Sequence, residues 1–95
     1  MIKYLQEEDS FEEEIKSGRV LVDFYADWCG PCKMMGNVLE SIDANILKVN
    51  VDMHPQIAKK FGVMSIPTII LFEDGKELRK NIGFMPREEL EEFLK

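Results

Sequence analysis

A chain of 95 residues is long enough for one compact domain and too short for two, and a net charge of −6 excludes nucleic acid or an anionic membrane as its main partner, since both need a basic face. With 45% hydrophobic and 32% charged residues, the composition is that of a folded globular protein and excludes extensive disorder. No apolar run approaches the roughly 20 residues of a spanning helix, and the stretch from Met1 to Asp9 turns acidic too early for a secretory leader, so the sequence, taken as a whole chain, predicts a cytoplasmic protein.

Ile2 to Leu5 fits a short first strand. Ser10 and Glu13 then form a capping box, in which the Ser oxygen accepts from the backbone and Glu13 reaches back. Phe11 and Ile15 share one face of a short helix that Gly18 can end, while Glu12 to Glu14 form its solvated first turns. Val20 to Ala26 is nearly continuously apolar, as expected of a strand covered on both faces, and Asp23 interrupts it. From Pro31 the pattern becomes helical, with Met35, Val38, Leu39 and Ile42 as the apolar stripe. Met34 and Met35 read as core or cleft filler rather than metal ligands, because thioether sites need further soft ligands nearby.

Ile46 to Val51 is a second central strand that carries Lys48 and Asn50 among its apolar residues. Asp52-Met53-His54-Pro55 turns into a short helix, with Pro55 at its first position and Gly62 beyond its end. His54, the sole histidine, has no catalytic companion close in sequence and reads as a turn or capping residue. Thr68 to Phe72 is a strand, Glu73-Asp74-Gly75-Lys76 a tight hairpin, and Leu78 to Ile82 the returning strand. After Gly83, Pro86 opens a last helix that buries Leu90, Phe93 and Leu94 and leaves Glu88, Glu89, Glu91 and Glu92 on its surface. The order β-α-β-α-β-α-β-β-α predicts an α/β fold. Its mixed sheet is parallel through the first half, carries an antiparallel hairpin near the end, and is flanked by helices on both faces in one domain over residues 1–95.

Both cysteines lie at the junction of the second strand and its helix, in Trp28-Cys29-Gly30-Pro31-Cys32-Lys33. A helix N-terminus stabilises negative charge, so this placement points to a redox centre. In a cytosolic chain a close Cys pair is catalytic or metal-binding rather than a structural staple. Two thiols supply half of a tetrahedral zinc site, and with His54 as the only other conventional soft ligand such a site requires a dimer. A further alternative is a binding module that uses the surface around Trp28, Ile66 and Gly83, with the cysteines incidental.

At Trp28-Cys29-Gly30-Pro31-Cys32-Lys33 the chain resembles the thioredoxin family. The similarity continues through Val20-Leu21-Val22-Asp23-Phe24, Lys48-Val49-Asn50-Val51-Asp52, Phe61-Gly62-Val63, Ser65-Ile66-Pro67-Thr68, Asp74-Gly75 and Gly83, in the family's order and spacing. The resemblance implies a thioredoxin fold and a dithiol–disulfide oxidoreductase that needs no cofactor beyond its own Cys29–Cys32 disulfide. It implies disulfide-containing client proteins and a flavin-dependent thioredoxin reductase as partners; a glutathione-linked donor is the variant reading. No surplus of apolar surface asks for a second copy, so a monomer is expected.

The same resemblance distributes the roles. Cys29, facing solvent at the helix start, is the attacking thiolate, and Cys32, one turn further in and more buried, resolves the mixed disulfide. Gly30 and Pro31 shape the turn between them. Asp23, a carboxylate on a strand buried on both faces, has a raised pKa suited to taking a proton from Cys32, and Lys48 lies near enough to tune it. Pro67 resembles the family's cis-proline, which frees the Ile66 backbone to pair with an extended client, while Trp28, Met64, Ile66 and Gly83 border a shallow apolar groove. Two positions depart from the family: Asn37 stands where a helix-kinking proline is usual, and Phe84 where a small residue follows the glycine. Asn37 predicts a straighter helix, with Gly36 beside it permitting a bend.

Overall fold

A computed structural model of the chain describes residues 1–95. It comprises β1 (Ile2–Tyr4), α1 (Phe11–Ile15), β2 (Arg19–Tyr25), α2 (Gly30–Glu40), β3 (Ile46–Asn50), α3 (Pro55–Lys60), β4 (Thr68–Glu73), β5 (Lys76–Ile82) and α4 (Arg87–Phe93). The nine expected elements are all present in the expected order, with ends displaced by a residue or two.

The five strands form one sheet in the order β1-β3-β2-β4-β5. β3 pairs parallel with both β1 and β2, whereas β4 runs antiparallel to β2 and to β5. This mixture of directions brings five connections to one end of the sheet. The chain leaves β1, β2, β3 and β5 at that end and enters β4 from it, because β4 alone runs the other way. Such a carboxyl edge of an α/β sheet is where ligands and chemistry collect.

Alternation along the central strands divides the core into two layers. Val20, Val22 and Phe24 of β2 join Leu47, Val49, Ile70 and Phe72 on one face, packed with Phe11 and Ile15 of α1 and Ala58 of α3. Leu21, Ile46, Ile69 and Leu71 point to the other face, against Met35 and Leu39 of α2, Leu90 of α4, and Met85. Phe11, Phe61 and Phe72 pack ring to ring at 5.3 to 5.8 Å on the first face, in tilted and edge-on arrangements. Strands covered on both sides account for their unbroken apolar runs.

Local signals act largely as expected. Ser10 caps α1 by accepting the Glu13 N–H at 3.3 Å. The return half of the box does not form: the Glu13 carboxylate accepts from Lys16 Nζ at 2.7 Å instead, a partner one turn on that needs no reversal of the side chain. Asp74 and Gly75, with φ of 50° and 84°, both lie in the left-handed region and make a two-residue hairpin turn whose twist matches the right-handed twist of the flanking strands. The Gly18 N–H donates to Asp74 Oδ1 at 2.8 Å, and the Asp74 N–H to Gly18 O at 2.9 Å, fastening this hairpin to the turn before β2. Met34 differs from expectation. It lies on the outer side of α2 and is 55% exposed, while its neighbour Met35 is fully buried. No helix is long and apolar enough to cross a membrane.

Candidate active site

β2 ends at Tyr25, and the chain turns through Ala26 to Trp28 before α2 begins at Gly30. Cys29 is the N-cap of α2, with extended backbone angles, and its Sγ accepts the Cys32 N–H at 3.2 Å. The sulfur thus takes the place a Ser or Asp oxygen holds in an ordinary helix cap, where unpaired N–H groups and the helix dipole favour a thiolate. Pro31 lies in the first turn, where its missing N–H leaves no bond unmade. Cys29 and Cys32 are joined as a disulfide.

The expectation that Cys29 faces solvent does not hold. Cys29 is 6% exposed and Cys32 3%, so the order of burial is as expected but both sulfurs are covered. Ala26, Tyr25, Val51 and Ile66 pack around the pair, and Cys29 Sγ lies 3.8 Å from Ile66 O. Exposure belongs instead to what surrounds them: Trp28 is 71% exposed and Met64 96%. Trp28 is held by its indole N–H, which donates to Asp52 Oδ2 at 2.9 Å, and the Asp52 N–H in turn donates to Asn50 Oδ1 at 2.8 Å.

The loop before β4 reaches the pair from the neighbouring strand. The Ile66–Pro67 peptide bond is cis, Pro67 is buried, and Pro67 O accepts the Gly83 N–H at 2.8 Å. Gly83, with φ of 99°, is thereby anchored beside the same loop. Gly30 and Pro31 are exposed, Ile66 is half-buried, and Phe84 is 39% exposed. Met64 stands almost wholly in solvent and is not among the side chains packed on the cysteines. α2 continues unbroken through Gly36 and Asn37.

Asp23 and Lys48 face each other across the β2–β3 pairing, in direct register. Asp23 is completely buried, and neither carboxylate oxygen receives a directed hydrogen bond. Lys48 Nζ lies 3.3 Å from Asp23 Oδ2, an ion-pair distance without hydrogen-bond alignment. Loss of hydration disfavours the charged carboxylate more than the ammonium restores it, and the pKa of Asp23 rises from 3.8 to about 6. Burial also pushes the Tyr25 hydroxyl upward. A cleft of about 290 Å³ opens beside this pair, lined by Cys32, Lys48, Gly36 and Tyr25 among others. Nowhere does the chain gather three His, Cys, Asp or Glu side chains as a metal site would need.

Three neighbours of the site escaped the sequence reading. Asp52 is a tether for Trp28, Tyr25 stands against Lys48, and Tyr4 lies beyond Tyr25. Two-residue spacing places Tyr25 on the same face of β2 as Asp23, a signal present in the sequence. Its meaning depends on the β2–β3 register, which the sequence does not state.

The Thioredoxin family model matches residues 2–95. The thioredoxin of Staphylococcus haemolyticus is 52% identical over 93 residues, covering 92% of this chain and 89% of its own. That of Chlamydia muridarum is 48% identical over 92 residues, covering 92% and 90%. A solved mutant thioredoxin from Halobacterium salinarum aligns with a TM-score of 0.87 at 34% identity, over 97% of this chain and 86% of its own. Since the likeness runs through the strands, the helices and the paired cysteines alike, the chain belongs to the thioredoxin family, and its chemistry is dithiol–disulfide exchange.

Proposed function

We propose that the protein is a monomeric, single-domain electron carrier of the cytoplasm that reduces disulfides in client proteins and is itself re-reduced by a flavin-dependent thioredoxin reductase or a related reductant. The observation that carries this reading is the position of Cys29 Sγ, which caps α2 and accepts the Cys32 N–H at 3.2 Å. Donors already aimed at the sulfur lower the free energy of its thiolate and leave Cys32 one turn away as the resolving group.

In the forward direction the Cys29 thiolate attacks one sulfur of the client disulfide and displaces the other as a thiolate. Cys32 then loses its proton to the Asp23 carboxylate, and its thiolate attacks Cys29 Sγ, releasing the second client thiolate. Two electrons pass to the client, and the Cys29–Cys32 bond forms. With a pKa near 6, Asp23 is largely ionised at neutral pH yet closer to a thiol's ordinary range of about 8.5 than a solvated carboxylate is. Lys48, 3.3 Å away, keeps the ionised form within reach.

Trp28, Gly30, Pro31, Met64, Ile66, Pro67 and Gly83 border the surface that receives the client. The Ile66 N–H has no partner within the chain, which suits pairing with an extended client backbone. Exposed methionine and aromatic side chains at its rim suit varied sequences, because a thioether adapts its shape to what it meets. The test is trapping: Cys32→Ser leaves attack intact and removes resolution, so it accumulates mixed disulfides through Cys29, while Cys29→Ser does not. Capture by Cys29→Ser alone would reverse the two roles.

A further inference from the structure

The Lys48 ammonium has Asp23, at 3.3 Å, as its one ion-pair partner, so the surfaces that enclose it share in setting its position. It lies over the Tyr25 ring, 4.7 Å from the centroid, with Tyr4 at 5.6 Å. The two rings meet edge to face at 6.2 Å and form a corner of negative π surface around the charge. The backbone of α2 also borders it at Gly36, where a Cβ would stand 3.3 Å from Lys48 Nζ. Any residue other than glycine there contests the space the ammonium occupies. Tyr4, Tyr25, Gly36 and Lys48 all line the cleft that reaches Cys32.

We propose that Gly36 and Tyr25 are positioning residues that together seat the Lys48 ammonium over Asp23 and so set the proton affinity of that carboxylate. A flexible four-carbon stem beside an open cleft has other places to go, and a charge released into water attracts Asp23 far less than one held at 3.3 Å. The remaining titratable groups along the cleft are Tyr4, Asp27, Lys33, Glu40 and, in the reduced protein, Cys32. None of them is altered by the substitutions below. The consequence for turnover rests on the reading of Asp23 as proton acceptor for Cys32; the seat itself does not.

The experiment follows the Asp23 carboxyl by carbon-detected NMR titration in the oxidised protein, where the cysteines do not titrate. Gly36→Ala raises the Asp23 midpoint by about 0.3 pH unit, the change expected when the ammonium yields by a few tenths of an ångström, from 3.3 to about 3.6 Å, at an effective dielectric of about 20. Tyr25→Leu raises it comparably, and Tyr25→Phe, which keeps the ring and loses the hydroxyl, restores the parent value. A purely structural role for Gly36 predicts the reverse pattern: alanine strengthens a helix interior and leaves the carboxyl unmoved. Parent midpoints in both Gly36→Ala and Tyr25→Leu overturn the proposal, and a shift in only one of them overturns the joint seat. If Tyr25→Leu does not fold, Gly36→Ala decides alone. The pH profile for reducing insulin disulfides with dithiothreitol moves with the midpoint in each variant. A shifted midpoint beside an unmoved profile retains the seat and removes Asp23 from the proton path.

Discussion

Replacing Asp23 by Asn makes the protein more stable at neutral pH and slower in exchange. The carboxylate is wholly buried, its oxygens lack directed hydrogen bonds, and its pKa is raised from 3.8 to about 6 even with Lys48 beside it. A raised pKa means that the folded state holds the proton more tightly than the unfolded chain does. The resulting stability is fully present below pH 3.8 and is lost as pH rises through about 6. At about 1.4 kcal/mol per pH unit, the loss amounts to about 3 kcal/mol by pH 8. Asn resembles the protonated carboxyl in shape and charge, so the variant retains most of that stability at every pH. Urea unfolding at pH 4 and pH 8 measures the difference. Parent and variant lie within about 1 kcal/mol of each other at the lower pH and separate by about 1–3 M in midpoint at the higher one, given urea slopes of about 1–3 kcal/mol per molar. A separation that is the same at both values would refute the reasoning, since it would show that charge on Asp23 is not what destabilises the fold.

Asn37→Pro tests whether α2 is as regular as it looks. Asn37 lies in an unbroken helix, so proline removes an N–H donor and crowds the carbonyl one turn back, destabilising by about 3 kcal/mol. Thermal unfolding should fall by more than about 10 °C; an unchanged midpoint means that Gly36 already bends the helix to accept proline. Gly75→Ala isolates backbone conformation at the β4–β5 turn, where φ is 84° and an added Cβ would meet nothing closer than 3.9 Å. It should lower the thermal midpoint by about 4–8 °C, as expected for about 1 kcal/mol in a domain of this size, and no change would show that the turn relaxes to another type.

Much of this architecture is legible because each element carries its own signal. The apolar run of β2 announces a strand covered on both faces, and the Asp74-Gly75 pair announces its turn. Ser10 begins α1 where the capping pattern places it, yet Glu13 answers to Lys16, because a surface carboxylate takes whichever partner its rotamers reach. Met34 and Met35 show the limit of the helical pattern. Both are apolar and adjacent, and a rotation of about 100° per residue is enough to bury one and expose the other. Met85 lies in no helix or strand, so no periodicity pointed to its complete burial, although its N–H donates to Met35 Sδ at 3.4 Å.

The site divides along the same line. Cys29, Cys32 and Pro31 are legible together because they lie within one turn of chain, where local geometry fixes their relation. The cover over Cys29 is not local: Val51 arrives from the turn after β3 and Ile66 from the loop before β4, so a residue that reads as a solvent-facing helix cap ends up 6% exposed. Lys48 is the sharper case. On its own strand it is one charged residue among apolar ones, and nothing nearby in sequence distinguishes a buried tuning charge from a surface one. Its role emerges from three separate placements: register opposite Asp23 in β2, the faces of Tyr25 and Tyr4, and the missing side chain at Gly36 in α2. Reactive sulfur chemistry can therefore be written into six consecutive residues, while the surroundings of the Asp23 carboxyl are distributed over four elements and exist only once the sheet has set its register.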